Sequence, residues 1–336
     1  MKVYIIAEVG PNHNGSLFNA KKYIDQIKKT NADAVKFQLA NPNQVYSLDS
    51  FKARYQKRND GKRSIIEMSK KNQLSKGDHL KLSVYCKKRG IDYLCSAFDL
   101  DSLKFLIEKI KIKYVKIASG EVFDKNILNY LSKKNKKFFI STGMINEKDL
   151  KIALRILNKN FKKDITLLHC ISKYPTDINS VNMKYMTRLK KIFRCKIGFS
   201  DHSLSKNTSL VAVALGASVI EKHVTFNKKN KGPDHKISSE MKEFNEITKN
   251  IREIEKIIGK EKKNFDSETI EIINVARKSI VSKRIIKKNE KILKSDIVFK
   301  RPGTGLSPLD EKKVIGKFAK QDIQADRLIN LYMLKK

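Results

Sequence analysis

Short β-branched segments alternate with longer amphipathic segments from the N-terminus to about residue 258, and this alternation constrains the fold more than any other feature. Eight segments have the length and composition of buried strands. They are Val3–Val9, Asp33–Gln38, Ile91–Phe98, Lys113–Ile117, Lys137–Ser141, Ile165–His169, Lys196–Phe199 and Ser218–Lys222. Eight strands that are each followed by a helix predict an α/β fold in which a parallel sheet closes into a (β/α)8 barrel, or TIM barrel. An open doubly wound sheet is the alternative, but no Gly-x-Gly-x-x-Gly sequence follows a strand candidate, so we favour the barrel.

The segments between the strands carry apolar residues at helical spacing. In the first of them, Leu17, Ala20, Ile24 and Ile27 form one apolar stripe within Ser16–Lys29. Comparable helical segments are Asp101–Ile110, Glu147–Asn158 and Ser205–Leu215. The connection from about residue 39 to residue 76 is longer than the others, and long loops at this end of a barrel usually serve as lids or mobile segments.

The chain changes character after the last predicted barrel helix. A polar stretch at 259–266 leads to short apolar segments and turns, among them Ser279–Ser282, Ile297–Lys300 and Val314–Phe318. We therefore divide the chain into a barrel domain over residues 1–262, a linker over 263–276 and a small, mostly β domain over 277–336. A domain of this size is marginal for folding alone, so we expect it to dock on another surface.

The net charge of +37 comes mainly from lysine. The lysines occur in scattered pairs such as Lys21-Lys22 and Lys133-Lys134, on the polar faces of predicted helices. No helix-turn-helix pattern, RNA-binding aromatic motif or zinc-finger spacing accompanies them. We therefore expect no nucleic-acid partner and attribute the charge to a lysine-rich composition, which could still attract an anionic substrate.

Hydropathy and cysteine spacing both predict a cytoplasmic protein without a membrane partner. The apolar start of the chain ends at Glu8, and no later apolar run reaches the roughly 18 residues of a membrane span. The four cysteines form no Cys-x-x-Cys pair, which favours buried free thiols. Cys170 follows His169 at a predicted strand end, so a Cys–His nucleophile remains the less favoured alternative there.

Five of the six histidines lie where the predicted barrel would have its mouth. Two of these follow neighbouring strands: His202 in Gly-Phe-Ser-Asp-His and His223 in Glu-Lys-His. Side chains at the C-terminal ends of barrel strands converge on one site. We therefore predict that these two imidazoles share a divalent metal, Mn²⁺ or Mg²⁺, whose other positions are filled by water and substrate. The alternative is that each ring only bonds nearby backbone.

Two lysines inside apolar strand segments predict an anion site. Lys36 lies in Val-Lys-Phe-Gln and Lys116 in Tyr-Val-Lys-Ile, and burial of such charges without a partner is costly. Hydroxyl groups at other strand ends can donate hydrogen bonds to phosphate oxygens. These hydroxyl residues are Ser96, Ser119, Ser141, Thr142 and Ser200. Glu8 and Glu121 lie near the same strand ends, so the combined pattern indicates chemistry on a small phosphorylated molecule.

An ordered set of motifs over nearly the whole chain resembles the sialic acid synthase family. The motifs are Ile-Ile-Ala-Glu-Val-Gly-Pro-Asn-His-Asn-Gly-Ser at 5–16, Lys-Phe-Gln at 36–38, Lys-Ile-Ala-Ser-Gly-Glu at 116–121, Ser-Thr-Gly-Met at 141–144, Leu-His-Cys with Tyr-Pro-Thr at 168–176, Gly-Phe-Ser-Asp-His at 198–202, Glu-Lys-His at 221–223 and Gly-Pro-Asp-His at 232–235. The tail resembles the antifreeze-like (SAF) domain of that family and includes Arg-Pro-Gly-Thr-Gly at 301–305.

The resemblance implies an enzyme that condenses phosphoenolpyruvate with an N-acetylated hexosamine to a nine-carbon 2-keto sugar acid and phosphate. The residues that it implies for phosphoenolpyruvate binding are Lys36, Ser96, Lys116, Ser119, Ser141 and Ser200. Those that it implies for the sugar are Gln38, Glu121, Tyr174, Asp234 and Arg301, with Glu8 as an acid–base group and His202 and His223 as the metal ligands. In this reaction Glu121 is the second catalytic candidate, because either Glu8 or Glu121 could transfer protons to the sugar hydroxyl or from water. Arg301 would enter the barrel of a partner subunit in a domain-swapped homodimer.

Departures from the family pattern leave the acceptor open between N-acetylmannosamine and 2,4-diacetamido sugars. Ile171-Ser172-Lys173 precedes Tyr174 where relatives often carry a Thr-Asn or Thr-Thr pair, and Ala97 replaces a common proline. A related synthase of shorter keto-sugar phosphates would leave the tail unexplained. An inactive basic relative that binds carbohydrate or nucleic acid would require lost site residues, and these are present.

Overall fold

The computed structural model describes residues 2–158 and 164–336, and the chain forms two compact units that divide after Gly259. In the first unit, eight parallel strands lie side by side in chain order. They are β1 Tyr4–Glu8, β2 Ala34–Leu39, β3 Asp92–Ala97, β4 Tyr114–Ile117, β5 Lys137–Ser141, β6 Ile165–His169, β7 Lys196–Asp201 and β8 Val219–Thr225. β1 also pairs with β8, from Tyr4 opposite Val219 to Glu8 opposite His223, so the sheet closes. The predicted barrel is confirmed and the open sheet is excluded.

Helices surround the barrel and follow the predicted alternation. Those described in this unit are α1 Leu17–Lys28, α2 Pro42–Val45, α3 Arg54–Asp60, α4 Ile65–Asn72, α5 Lys76–Arg89, α6 Leu100–Phe105, α7 Lys125–Ser132, α8 Glu147–Leu157, α9 Met183–Phe193, α10 Thr208–Ala214 and α11 Met241–Ile258. A π-helical turn, Leu106–Ile110, extends α6, and the two-residue strand β9, Ser239–Glu240, extends the sheet beside β8. Along the described ranges, no helix combines the length and the hydropathy that a membrane crossing requires.

Helix α1 illustrates how the sequence specifies this outer layer. The Ser16 side chain accepts a hydrogen bond from the Asn19 amide and begins the helix. Ala20, Ile24 and Ile27 then lie on one face and are fully buried against the strands. The largest apolar cluster of the chain lies between strands and helices in this way, and it fixes the orientation of every strand.

The long connection after β2 has its own secondary structure. It contains α2, α3 and α4, so the range 39–76 predicted as a loop is largely helical. Local capping explains α4, because Ser64 and Glu67 form a reciprocal capping box at its start. Within the same connection, Lys52 donates hydrogen bonds to Asp60 and to the carbonyl oxygen of Gly61, which ties α3 to the segment before it.

The second unit, from Lys260 onward, is small and mostly β. Its strands are β10 Ser279–Ser282 paired with β11 Ile297–Lys300, and β12 Phe318–Ala319 paired with β13 Leu334–Lys335. They enclose a core of Ile280, Ile286, Ile292, Val314, Ala319, Ile323, Ile329 and Leu334.

Two predictions for this part of the chain differ from the structure. The range 263–276, predicted as a linker, contains α12, Ser267–Ala276, because Asp266 caps the Thr269 amide and begins a helix. The apolar segment Val314–Phe318 is not a strand. It follows a 3₁₀ helix, turns at Gly316 with a φ of 84°, and only Phe318 joins β12.

Candidate active site

Alternation along each strand places the functional side chains inside the barrel. The lower interior is filled by Ile6, Ala34, Leu94, Phe139, Leu168 and Val219. Because side chains alternate between the two faces of a strand, residues two positions further along face the same interior, closer to the mouth. Glu8, Lys36, Ser96, Ser141 and Glu221 occupy these positions, and all of them are buried.

An inner pocket of about 160 Å³ collects the residues predicted to bind phosphoenolpyruvate. Its walls include Lys36, Ser96, Lys116, Ser119, Ser141 and Ser200. The Lys36 Nζ donates to Ser96 Oγ at 3.2 Å, and the Lys116 Nζ donates to Ser141 Oγ at 2.8 Å. Each cation is therefore held beside a hydroxyl group, in a pocket small enough to enclose a three-carbon acid. The six residues predicted from separate strands come together in one place.

Glu221, which we did not predict as a site residue, links the two lysines. One of its oxygens lies 3.7 Å from Lys116 Nζ, the other lies 3.6 Å from Lys36 Nζ, and Ser200 Oγ donates to it at 2.9 Å. Burial alone would raise the pKa of Glu221, but Lys116 and Lys36 together lower it, so this carboxylate is ionised. The signal was available in the sequence, because Glu221 precedes His223 by two positions on one strand and must share its face.

The two lysines differ in their electrostatic surroundings. Burial lowers the pKa of Lys116, and the nearby Glu221 only partly opposes this effect. Burial would also lower the pKa of Lys36, but Glu221 and Glu8 outweigh it and raise that pKa. Lys36 Nζ lies 3.0 Å from Glu8 Oε2, which gives it a second carboxylate partner. Lys36 is thus firmly protonated. An arriving anion would stabilise the charge of Lys116 more than that of Lys36.

Glu8 and Gln38 form a pair at the rim of the inner pocket. Gln38 Nε2 donates to Glu8 Oε1 at 2.7 Å, and both residues line the pocket. Burial raises the pKa of Glu8 to about 7, with the charge of Lys36 opposing the shift and that of Glu221 adding to it. A carboxyl group with such a pKa can accept or donate a proton near neutral pH.

Glu121 lies on a short 3₁₀ turn, Glu121–Phe123, after β4 and lines the same pocket. Burial raises its pKa to about 7, and the carboxylates of Asp124 and Asp99 add to the effect. The pocket therefore contains two carboxyl groups, Glu8 and Glu121, with the proton affinity that suits acid–base catalysis.

His202 and His223 lie next to each other at the mouth, as predicted. Their ring centroids are 5.7 Å apart, and both rings line the inner pocket. Burial lowers the pKa of both imidazoles, and for His223 the neighbouring His202 adds to the shift. His202 Nδ1 lies 2.8 Å from the carbonyl oxygen of Ile171, so Nδ1 carries the proton and Nε2 keeps its lone pair, 3.4 Å from Ser200 Oγ.

The donor set fits an open metal site rather than a closed one. Among residues 2–158 and 164–336, no cluster of three or more His, Cys, Asp or Glu side chains is arranged to hold a metal ion. Two neutral imidazoles with available lone pairs are suitable ligands, and His223 Nδ1 is buried without a hydrogen-bond partner within these ranges. A divalent cation would therefore need water and substrate to complete its coordination.

A second pocket of about 310 Å³ adjoins the first and contains the residues predicted for the sugar. Gln38, Tyr174, His223 and Asp234 line it, and the first three also line the inner pocket. The Tyr174 ring lies 4.3 Å from the His202 ring and stacks on Tyr55 at 5.1 Å. Asp234 Oδ2 lies 3.7 Å from His223 Nδ1. The predicted sugar residues of the first unit are thus together.

The far wall of this outer pocket comes from the connection after β2. The residues that it contributes are Tyr46, Tyr55, Gln56, Met68, Ser69, Asn72 and Gln73. We predicted none of them as site residues, because they lie outside the strand pattern that located the others. The length of the connection was the signal that they matter.

Three of the five histidines predicted at the mouth face elsewhere. His169 Nε2 lies 2.7 Å from the carbonyl oxygen of Val181, on the helix side of β6. His13 Nδ1 accepts from the Gly15 amide, and His235 Nδ1 pairs with Thr225 Oγ1 at 2.7 Å. Burial lowers the pKa of each, so all three are neutral structural groups.

Three further residues that the sequence singled out are Cys170, Thr142 and Arg301. Cys170 lines the inner pocket, but His169 points away from it and burial raises the pKa of the thiol, which argues against a Cys–His nucleophile. Thr142 Oγ1 donates to the carbonyl oxygen of Leu168. Arg301 belongs to the second unit, where it is exposed and donates from Nε to the carbonyl oxygen of Ala276.

Buried cations and carboxyl groups that converge at the mouth of a TIM barrel define a class of barrel enzymes that act on small anions. Family models narrow this class: residues 23–263 match the NeuB family and residues 277–335 match the SAF domain. The chain therefore belongs to the NeuB family.

Individual relatives agree with this assignment. The chain is 41% identical to the N,N'-diacetyllegionaminic acid synthase of Campylobacter jejuni, with 98% of this chain and 99% of the relative covered. It is 34% identical to the pseudaminic acid synthase of the same species, with 96% and 94% covered. A crystal structure of the N-acetylneuraminic acid (sialic acid) synthetase from Leptospira borgpetersenii in complex with citrate superposes with a TM-score of 0.72 at 30% identity and covers 81% of this chain and 90% of that one.

Proposed function

We propose that this protein is a sialic-acid-type synthase that condenses phosphoenolpyruvate with an acetamido sugar and releases phosphate. The observation that carries the proposal is the inner pocket, in which Lys36 and Lys116 lie buried among serine hydroxyls beside a larger polar pocket. Such a pair of pockets suits a small polyanion and a sugar that react where the two pockets meet. An inactive binding relative gains no support, since Glu8 and Glu121 both line the inner pocket.

Lys36, Lys116 and the four serines would bind the phosphate and carboxylate of phosphoenolpyruvate. The two ammonium groups supply charge and the hydroxyls supply directed hydrogen bonds, which together fix the enol carbon relative to the acceptor. C3 of phosphoenolpyruvate would attack the aldehyde carbon of the open-chain sugar. Water would then add to C2, and the tetrahedral intermediate would expel phosphate with cleavage of the bond between C2 and the bridging oxygen.

Glu8 and Glu121 would carry the protons of these steps. The pKa of each is raised to about 7, so either group can give a proton to the new sugar hydroxyl or take one from the attacking water. Gln38 holds the Glu8 carboxyl group through its 2.7 Å hydrogen bond, at the boundary between the two pockets.

His202 and His223 would bind a divalent metal, Mn²⁺ or Mg²⁺. When bound, such a cation supplies Lewis-acid polarisation of the acceptor's carbonyl oxygen. The contribution of the chain is a pair of neutral imidazoles, of which His202 is fixed in orientation by its bond to the Ile171 carbonyl.

The acceptor would lie in the outer pocket against Gln38, Tyr174 and Asp234. We propose a 2,4-diacetamido sugar as the first candidate, because the relative with 41% identity is named a diacetyllegionaminic acid synthase. N-acetylmannosamine is the second. We further propose that Arg301 of one subunit completes the sugar site of its partner in a homodimer, and that the enzyme acts in the cytoplasm.

The proposal is tested by incubating the protein with phosphoenolpyruvate, Mn²⁺ and a panel of acetamido sugars, with mass spectrometry of the products. We expect a keto acid three carbons longer than one of the sugars, and no such product after chelation of the metal. Failure of every sugar to give a keto acid would contradict the proposed function.

A further inference from the structure

A third cleft, of about 750 Å³, lies outside the two reaction pockets and has no assigned role. It shares Tyr55, Gln56, Met144 and Tyr174 with the sugar pocket, so the two are continuous. Its walls come from α3 and from the segment after β6. An entering molecule would therefore meet this cleft before the pockets below it.

Three cations line the cleft: Arg54, Arg58 and Lys173. All three are exposed, and within residues 2–158 and 164–336 none of their side chains takes part in an ion pair or a hydrogen bond. Asp177 is the carboxylate among the lining residues, so the cleft has an excess of positive charge.

Two neighbouring cations on the same connection, Lys52 and Arg63, are paired instead. Lys52 Nζ lies 3.2 Å from Asp60 Oδ2, and Arg63 Nη1 lies 3.2 Å from Asp60 Oδ1. Lys52 and Arg63 thus hold α3 in place, and both pair with the Asp60 carboxylate. Arg54 and Arg58 on α3 are thus not needed for local structure, which leaves them available to a ligand.

The inner pocket alone would attract an anion only weakly from a distance. Lys36 has Glu8 at 3.0 Å and Glu221 at 3.6 Å, and Lys116 has Glu221 at 3.7 Å. The fields of opposite charges this close largely cancel at a distance. Salt screens the field that remains over about 8 Å. The unpaired cations at the cleft are the ones whose field extends along the entry path.

We propose that Arg54, Arg58 and Lys173 form a cationic vestibule that captures a small polyanion, of the phosphate-ester carboxylate class, and passes it to the inner pocket. The identity of this polyanion rests on the proposed function, which makes it phosphoenolpyruvate. The vestibule raises the rate of substrate capture and leaves the chemical step unchanged, since it lies outside the pocket in which the reacting atoms meet.

The test compares two triple variants that lose the same charge. One is Arg54→Gln, Arg58→Gln and Lys173→Gln. The matched control is Lys87→Gln, Lys88→Gln and Lys191→Gln, all exposed, in or directly after the last turns of α5 and α9. Helices of a (β/α)8 barrel end opposite the mouth, so the control removes the same charge from the far end.

We expect the vestibule variant to lose about 10-fold or more in kcat/KM for phosphoenolpyruvate at low salt, with kcat unchanged and the loss smaller at high salt. The control should stay within about twofold of the wild type, since its charges lie at the end of the barrel opposite the mouth. Equal losses in both variants would assign the effect to the overall charge and overturn the proposal. A fall in kcat, or a loss confined to the acceptor, would overturn it as well.

Failure of the proposed function is distinguishable from failure of the vestibule. If the wild type turns over no sugar with phosphoenolpyruvate, the synthase proposal fails, and calorimetric titration with phosphoenolpyruvate at low salt then tests the vestibule. Weaker binding by the vestibule variant than by the control supports it, and equal binding overturns it.

Discussion

Glu221 shows how a single carboxylate determines the state of this site. It lies between Lys36 and Lys116, bonds Ser200, and is only 4% exposed. Without it, two ammonium groups would be buried together at considerable cost. The phosphate of an arriving substrate can take over part of this charge compensation. The two lysines would then exchange contacts with Glu221 for contacts with the substrate.

Lys116→Ala should weaken the use of phosphoenolpyruvate far more than the use of the sugar. Loss of a charge-assisted contact of about 1.5–3 kcal/mol predicts a fall of about 10- to 150-fold in kcat/KM for phosphoenolpyruvate. Steady-state kinetics with each substrate varied in turn measure this effect. Lys113→Ala, at an exposed lysine directly before the same strand, is the control and should be near wild type. A selective defect in sugar kinetics would show that the two subsites are reversed.

Glu121→Gln should change the pH dependence of stability. Burial, Asp124 and Asp99 raise the pKa of Glu121 from 4.5 to about 7 in the folded protein. The protonated carboxyl is therefore favoured by folding, and this contribution is present below about pH 4.5 and lost as the pH rises through about 7. Relative to the Gln variant, the wild type should lose roughly 3 kcal/mol at most between pH 4.5 and pH 8.

Urea denaturation of both proteins across this pH range measures the difference, and the comparison cancels the contributions of other groups. Parallel stability curves for wild type and Glu121→Gln would show that the Glu121 carboxyl has an ordinary pKa.

At the scale of single residues, sequence reasoning located the positions that follow strand periodicity. Lys36, Lys116 and His223 line the inner pocket because their strands are apolar and regular. His169 was expected at the same mouth, but it is the last residue of its strand and faces α9. A shift of one residue along a strand moves a side chain from the barrel interior to the helix side. The composition of the strand does not reveal which side a residue faces.

At the scale of elements, the turn after β5 requires close approach to the segment after β6. A Cβ on Gly143 would lie 2.4 Å from Ser172 Oγ and 2.8 Å from Cys170 Sγ. Gly143→Ala should therefore displace Ser172 and its neighbour Ser119 and lower kcat/KM for phosphoenolpyruvate by about 10-fold or more.

The matched control is Gly77→Ala in α5, where the added Cβ would meet only Ser75 Oγ at 3.7 Å. This change should stabilise the protein by about 0.5–1 kcal/mol and leave its kinetics unchanged. Normal phosphoenolpyruvate kinetics for Gly143→Ala would mean that the two segments separate without consequence for the site.

The connection after β2 was expected as a loop, and its helices were not anticipated. Its stack of Tyr55 on Tyr174, at 5.1 Å, places α3 against the sugar pocket. Tyr55→Ala should raise KM for the sugar several-fold because the wall of the outer pocket is lost, while Tyr55→Phe should retain the stack. Unaltered sugar kinetics in Tyr55→Ala would show that α3 does not contribute to acceptor binding.

At the scale of the whole molecule, the order of the elements was predictable and the assembly was not. Strand number and alternation specify a closed barrel because eight parallel strands with following helices have this stable arrangement. Whether Arg301 reaches the barrel of a second subunit depends on contacts between subunits, which no local pattern encodes. The small unit presents exposed apolar residues on α12, including Ile272 and Val275, that local packing leaves uncovered.

Mixing two impaired subunits tests whether sites are shared. In a heterodimer of Arg301→Ala with Lys116→Ala, swapped tails would give one barrel with both defects and one with neither. We therefore expect activity to return to as much as about half of the wild-type level per dimer, measured by phosphate release. Verified heterodimers that stay as impaired as the two parent variants would show that each tail serves its own barrel.

Isotopic labelling tests most directly whether the buried cations hold phosphoenolpyruvate while its C3 joins a sugar. Phosphoenolpyruvate with ¹⁸O as the bridging oxygen on C2 is reacted with the acceptor, and both products are analysed by mass spectrometry. We predict one labelled phosphate for each new keto acid, and about 10- to 150-fold slower formation of both products in Lys116→Ala at low phosphoenolpyruvate concentration. Labelled phosphate without a keto acid, or a keto acid formed with unlabelled phosphate, would contradict the account.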